Sequence, residues 1–279
     1  MNKKILRQFN SYLILFIVGV IMIFPLIWMI FASFKPNNEI FGNVNIFPSR
    51  INFDSYVSGW KGHGQLNFGV FLKNSIELVA PTVFFTVLSS TIVAYGFARF
   101  RFPFKKLLFS IMISTLILPN AVLIIPRYLL FRDLKWLDTY KTFTIPALFA
   151  CTPFFIYMLI QFFRSIPFEL DESAKIDGCN AFSILVRIML PLCKPAIISA
   201  ALFQAIWTWE DFFNSLIYIN SVKKFTVSLA LRMAMDTSEA ANWSAILAMA
   251  VVSMLPCVLL FFSAQKYFVE GISTSGLKG

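Results

Sequence analysis

An all-α polytopic membrane protein with six transmembrane helices is the fold class that this sequence predicts, on three observations. Of 279 residues, 58% are hydrophobic and only 14% are charged, against about 45–50% and about 25% in soluble domains. The 33 Phe and a mean hydropathy of +0.74 supply more apolar surface than one or two globular cores of this length can hide from water. The apolar residues also gather into blocks long enough to cross about 30 Å of hydrocarbon, and most Lys and Arg fall between them.

The first block, Tyr12–Phe34, follows a short basic segment (residues 1–11) that carries Lys3, Lys4 and Arg7. It exceeds the about 7–15 apolar residues of a cleavable leader, and Ala32-Ser33-Phe34 is a poor cleavage site, so an uncleaved span is expected. Five more spans follow at Asn74–Ala98, Leu107–Ile125, Phe143–Phe163, Ala196–Ile219 and Ser244–Ala264. They give a membrane domain over 12–264 and a C-terminal tail over 265–279. Lys and Arg divide almost evenly between the two sides. Orientation therefore rests on the shortest connection, with Arg99, Arg101, Lys105 and Lys106, and on the basic N-terminus, which together put both termini in the cytoplasm. Pro25, Pro81, Pro119, Pro146, Pro153 and Pro256 fall within these spans. They are either hinges or the ordinary prolines that membrane helices tolerate.

Several function classes drop out. The net charge of +10 would point a soluble protein towards nucleic acid, but no basic patch with interleaved aromatics exists, and the charges flank apolar blocks instead. Cys151, Cys179, Cys193 and Cys257 form no C-x-x-C, and His63 is the only histidine, which excludes a clustered metal site or redox dithiol. H-E-x-x-H and G-x-S-x-G are absent. Gly271-x4-Gly276 imitates the start of a phosphate-binding loop, yet Leu277 stands where Lys is required, and the segment reads as a flexible tail. Energy for any transport must then come from a partner ATPase or an ion gradient.

Two regions carry functional pattern. The inner loop 164–194 has helix punctuation: Ser165 as a cap, Pro167 in the first turn, acids at Glu169, Asp171 and Glu172, and Gly178 to end the helix in the left-handed conformation. A second helix is expected from Asn180 to about Leu190, stopped by Pro191. Leu170, Ser173, Ala174 and Asp177 share one face of the first helix, which serves either as a docking knob or as a connector packed on its own bundle. In the fifth span, Gln204, Trp207, Thr208, Asp211, Ser215 and Tyr218 occupy a stripe about 100° wide. Polar groups there either line a pathway, where rings and hydrogen-bonding groups suit a sugar, or glue helices together. Glu210 falls off the stripe.

Glu172-Ser-Ala174, three residues, Gly178, nine residues, then Ile188-Met-Leu190-Pro191 resembles the EAA loop of membrane subunits in binding-protein-dependent ABC importers, with Ser173 in place of the first Ala. Ser33-Phe34-Lys35, Glu39-Ile40-Phe41, Asn74-Ser75, Leu118-Pro119, Ile125-Pro126, Trp209-Glu-Asp211-Phe212 and the Gly271–Gly279 segment resemble the carbohydrate branch, specifically the second permease of maltose-type systems. The resemblance implies the type I ABC importer permease fold with a cytoplasmic coupling-helix loop. Glu172, Ser173, Ala174 and Gly178 would contact a separate ATPase, with Ile188, Leu190 and Pro191 anchoring the loop. Gly276 to Gly279 would approach the ATPase dimer interface. The implied partners are a second homologous permease, a cytoplasmic ATPase dimer, an extracytoplasmic sugar-binding protein, an oligosaccharide substrate and the lipid bilayer of a prokaryotic cell membrane. ATP would bind the ATPase, with no cofactor on this chain. The rival classes are an ion-coupled secondary transporter and a membrane scaffold or sensor.

Overall fold

A computed structural model describes residues 3–42, 45–62, 66–236 and 242–276. The elements described are helical. In chain order they are α1 (Lys3–Ala32), α2 (Asn37–Gly42), α3 (Asp54–Lys61), α4 (Phe68–Arg99), α5 (Lys105–Thr115), α6 (Asn120–Asp133), α7 (Lys141–Leu148) and α8 (Pro153–Ser165). Then come α9 (Glu169–Ile176), α10 (Ala181–Ile184), a π-helical turn (Leu185–Met189), α11 (Leu190–Leu192), α12 (Lys194–Glu210), α13 (Phe212–Tyr218), α14 (Val227–Asp236) and α15 (Trp243–Gly276). His63 and Leu277–Gly279 lie outside the described residues.

Among the described residues, four helical stretches are long and apolar enough to cross a membrane, or up to six if each bent pair forms one span. The expected uniform spans are therefore corrected in three places. The third bends by 100° between α5 and α6, where Pro119 stands extended immediately before α6. The fourth is interrupted between Leu148 and Pro153, with Ala150 at φ 55°. The fifth breaks at Asp211, whose φ of −69° and ψ of 80° leave the helical region. Pro25, Pro81, Pro146 and Pro256 lie inside continuous helices, so only Pro119 and Pro153 mark breaks. The segment read as a flexible tail is also corrected, because α15 continues to Gly276. The apolar run that drives this helix contains no proline after Pro256 to stop it.

The chain divides into two compact units, one made of the chain up to Val70 with Ala230–Leu255, the other of Phe71–Leu229 with the chain from Pro256 onward. In the first, α1 leaves most of its apolar side chains uncovered along Gln8–Ala32, only Ala32 at its end being buried there, as a helix solvated by lipid does. The segment after α1 folds back on itself: the Ser33 hydroxyl bonds the Tyr56 hydroxyl at 2.8 Å, and Lys35, 2% exposed, donates to the Asn45 carbonyl. Gly59 lets α3 meet α15 closely, since a Cβ at this position would lie 2.8 Å from Met249 Cγ and 2.9 Å from the Ala245 carbonyl oxygen. Asn37 Oδ1 accepts the Trp243 backbone N–H at 2.8 Å, capping the start of α15.

The second unit is organised on α4, about 48 Å long at 1.5 Å per residue. Its first turns hold the segment 223–227: Asn74 donates to the carbonyls of Lys223 and Phe225, each at 2.9 Å, and Ser75 Oγ accepts the Val227 N–H at 2.9 Å. Tyr140 donates to the Lys224 carbonyl at 3.0 Å. Asp138, at φ 57°, accepts from the backbone N–H groups of Asn220 and Ser221 at 3.0 and 2.8 Å, the Ser221 hydroxyl at 2.6 Å and Lys224 Nζ at 2.9 Å. Four side chains, two from α4 and two from the connection between α6 and α7, thus converge on one short segment between α13 and α14. At the other end of α4, Ala94, Tyr95 and Ala98 enter a core with Ile156, Leu159, Ile160 and Phe163 of α8 and with Ile184, Leu185 and Met189.

The Asp138 carboxyl responds to opposing effects. Burial raises its pKa, but bonds from Ser221, Lys224 and Asn220 outweigh burial and hold it well below the usual carboxylate range. A carboxyl lowered on folding contributes stability above its unfolded pKa of about 3.9 and loses it only as pH falls through the folded value. Protection from hydrogen exchange over 219–227, taken relative to the intrinsic rate at each pH, should therefore stay constant from neutral pH down to the ordinary carboxylate range. In Asp138→Ala it should speed up about tenfold at neutral pH, the consequence of losing a charge-assisted network. Equal exchange in the two proteins would show that the network contributes nothing.

Candidate functional site

Two constellations stand out, both in the second unit. The first is the loop after α8. Ser165 proves to be the last residue of α8, its hydroxyl donating to the Phe162 carbonyl at 2.7 Å, so it does not cap the next helix. Helix α9 starts after Phe168, without a side-chain cap, and carries Glu169, Asp171 and Glu172 in its first turn, where they complement the helix dipole. Gly178 sits at φ +83° with nothing within 4 Å of a Cβ. Glycine is required there for the left-handed backbone alone, not for space. Its N–H bonds the Lys175 carbonyl at 3.0 Å, closing the turn.

Asn180 caps α10 through Oδ1, which accepts the Ser183 N–H at 2.8 Å. The expected stop before Pro191 does not occur. The chain passes through the π turn 185–189, Leu190 N–H bonding the Leu185 carbonyl, and Pro191 lies in the first turn of α11. The wider turn relieves the collision between a proline ring and the carbonyl four residues earlier. Ile188 and Leu190 pack against the core, whereas Pro191 is exposed.

The expected docking face is corrected. Asp171 and Ala174, each 5% exposed, face the bundle, and Ala174 joins the core with Tyr95 and Ile184. Leu170, Glu172, Ser173, Asp177 and Gly178 remain exposed. So do Ile176 and Phe182, at 87% and 73%. Two large apolar side chains in a polar loop were the sequence signal for this surface. The rotation of α9 has an identifiable cause in Arg99, read from sequence only as an orienting charge. Its Nε lies 3.2 Å from Asp171 Oδ2, with the two side chains 3% and 7% exposed. Nη2 donates to the Ile166 carbonyl at 2.9 Å, and the guanidinium carbon sits 4.4 Å from the Phe168 ring centroid. The Nε–Oδ2 approach is a contact of charges rather than an aligned hydrogen bond; the aligned bond goes to Ile166.

The second constellation is a cavity of about 380 Å³. Gln204, Thr208, Asp211 and Tyr218 of the expected stripe line it, joined by Thr82 and Thr86 from α4, Arg127 from α6, Thr142 from α7, and Thr152 and Asn214. Trp207 and Ser215 are not among its walls. Trp207 stacks instead with Phe154 and Phe155 at 5.1 and 5.2 Å, and Ser215 is fully buried. The break at Asp211 accounts for Ser215, because a constant 100° per residue fails where the helix is interrupted; Trp207, which precedes the break on α12, is drawn towards the α8 rings instead. Gln204 Nε2 donates to Thr208 Oγ1 at 2.7 Å within α12. Asp211 caps α13, accepting the Asn214 N–H at 3.1 Å and both contacts of its amide at 3.0 and 2.8 Å. These bonds are local and do not tie α12 to another span, as helix-gluing groups would. Arg127 and the threonines were missed because they lie on other elements, outside any single-helix pattern.

Residues 87–274 match the family described as the binding-protein-dependent transport system inner membrane component. The chain belongs to this family. It is 31% identical to the probable ABC transporter permease protein YurM of Bacillus subtilis, over all of this chain and 91% of the relative. It is 30% identical to the arabinooligosaccharides transport system permease protein AraQ of Halalkalibacterium halodurans, over 94% of this chain and 93% of that one. Its fold matches a chain in the crystal structure of a bacterial ABC transporter involved in the import of the acidic polysaccharide alginate, with a TM-score of 0.84 at 23% identity, covering 96% and 99% of the two chains. This permease is therefore a membrane component of an ABC importer, and an ion-coupled secondary transporter is set aside.

Removing the Asp211 cap should destabilise the start of α13 by about 1 kcal/mol. Asp211→Ala is expected to speed amide exchange at Asn214 roughly fivefold, with Glu210→Ala, an exposed neighbour, leaving it unchanged. Equal behaviour of the two variants would refute the cap.

Proposed function

We propose that this permease forms, with a second and similar membrane subunit, the translocation pathway of an oligosaccharide importer driven by separate cytoplasmic ATPase subunits. An extracytoplasmic binding protein delivers the sugar, and both termini of this chain face the cytoplasm. The chain itself has no catalytic role. The carrying observation is the 380 Å³ cavity, whose hydroxyls and amides come from α4, α7 and α12 and the residues beside them. A sugar needs such a wall: hydrogen-bond partners for its hydroxyls, with rings such as Phe131 and Phe143 for its apolar faces. Relatives named for arabinooligosaccharide, galactooligosaccharide and trehalose/maltose transport support the same substrate class. A solved alginate transporter in complex with a pentasaccharide-bound periplasmic protein, which has this fold, supports a binding-protein partner.

Gln204, Thr208, Asp211 and Tyr218 line the pathway, with buried Ser215 supporting it from behind and Trp207 beside it. The exposed surface of α9 and its turn, with Glu172, Ser173 and Gly178, meets the ATPase. Ala174, Ile188 and Leu190 hold that surface to the bundle. ATP-driven closure of the ATPases would draw the two coupling loops together and open the pathway outward.

Uptake of a panel of labelled oligosaccharides in cells, with and without ATP depletion, tests the reading. Uptake of at least one member should stop on depletion, and an ATPase should co-purify in mild detergent. Uptake that ignores ATP would overturn the proposal. Gln204→Leu and Asp211→Ala should alter rate or sugar preference without dissolving the complex. Gly178→Val, strained at positive φ by about 1–2 kcal/mol, should leave ATP hydrolysis running while uptake falls about tenfold or more.

A further inference from the structure

Helix α9 has only eight residues, too few to hold their own shape in isolation, so its position is set by what it is fastened to. Its buried attachments are Asp171 and Ala174. Ala174 contributes one small apolar contact. Asp171 meets Arg99, the last residue of α4. The same guanidinium bonds the Ile166 carbonyl just before α9, lies over the Phe168 ring at its start and approaches Met189 Sδ of the returning chain at 3.7 Å. One side chain at the end of a long span thus touches the entry, the body and the exit of the loop. Tyr95, one turn earlier on α4, adds a bond to the Ala181 carbonyl at 3.1 Å.

Apolar packing tolerates sliding, but here the aligned bond to the Ile166 carbonyl and the Phe168 ring orient the planar guanidinium, and the close charge contact with Asp171 sets its distance from α9. A buried ion pair of this kind does more for specificity of arrangement than for net stability. We infer that Arg99 and Asp171 are positioning residues for energy coupling: their contact makes α9 and the end of α4 move as one body, so that displacement of the loop reaches the wall of the cavity that α4 carries at Thr82 and Thr86. The inference rests on the ATP-driven reading above for what moves α9, but not for the rigidity of the contact.

The test uses the full chain in the complex recovered through an affinity tag and reconstituted in phosphatidylethanolamine–phosphatidylglycerol vesicles. Cys151, Cys179, Cys193 and Cys257 are replaced by alanine, and spin labels are placed at Glu169 at the start of α9 and Ile92 on α4, both exposed. Their separation is measured without nucleotide and with ATP and vanadate. With Arg99 and Asp171 intact, one narrow distribution is expected in both states. In the double variant Arg99→Met with Asp171→Leu, which leaves no unpaired buried charge, the distribution should widen about twofold or more. Amide exchange over 169–192 should stay as protected as before. Arg99→Lys, which keeps the charge but loses the planar fork, should widen it as well.

A distribution that stays narrow in these variants would overturn the inference. So would a distance that already shifts between states with the pair intact, or exchange that loosens throughout the loop, which would make the pair a fold-holding contact only. If no ATP hydrolysis accompanies the purified chain, the ATP-driven reading falls. The joint is then judged on the nucleotide-free comparison alone, where the same widening is required.

Discussion

Hydrocarbon offers no hydrogen bonds, so each polar group taken into it must bring a partner, and the irregular parts of this permease follow from that constraint. Continuous helices satisfy their backbone internally, and α1, α4 and α15 run long for this reason. Where the spans break, local substitutes appear. At Asp211 the carboxylate takes up the exposed N–H of Asn214. At Asp138 one carboxylate satisfies two backbone N–H groups of a neighbouring connection. The interruptions before Pro153 and at Asp211 border the cavity, where irregular backbone is tolerated because it does not face lipid.

The same constraint divides the acids by role. Exposed Glu172 and Asp177 are free to meet another protein. Asp171, one position from Glu172, is turned inward by a single guanidinium. Adjacent carboxylates on one short helix therefore face opposite ways, one to the surface and one to the bundle. A surface salt bridge such as Lys73–Glu77, with both side chains at least half exposed, has no comparable consequence, because water screens it.

What could be read from the sequence is what local rules decide. The apolar blocks located the spans, Gly178 took the left-handed turn, and Asn180 capped the helix after it. The family resemblance rested on spacing and survived comparison with relatives along the whole chain. The misreadings share a cause, which is that the deciding contact lay elsewhere. Asp211 looks like one polar residue in an apolar run, and nothing nearby announces that its backbone leaves the helix. Arg99 looks like a flanking charge until α9 is packed beside it. Arg127 and Thr82 reach the cavity from elements with no pattern of their own, so a stripe drawn on one helix found only part of the wall.

The π turn at Leu185–Met189 has a consequence for counting. A turn closed five residues back holds about one more residue than an α turn, so a helical repeat carried from Asn180 is about 100° out of phase by the time it reaches Leu190. The direction in which the chain meets the 78° bend before α12 therefore depends on where that additional residue sits. A chimera that imports a relative's loop without the same widened turn would bring the chain to that bend facing another way, even if each lining residue of the cavity were kept.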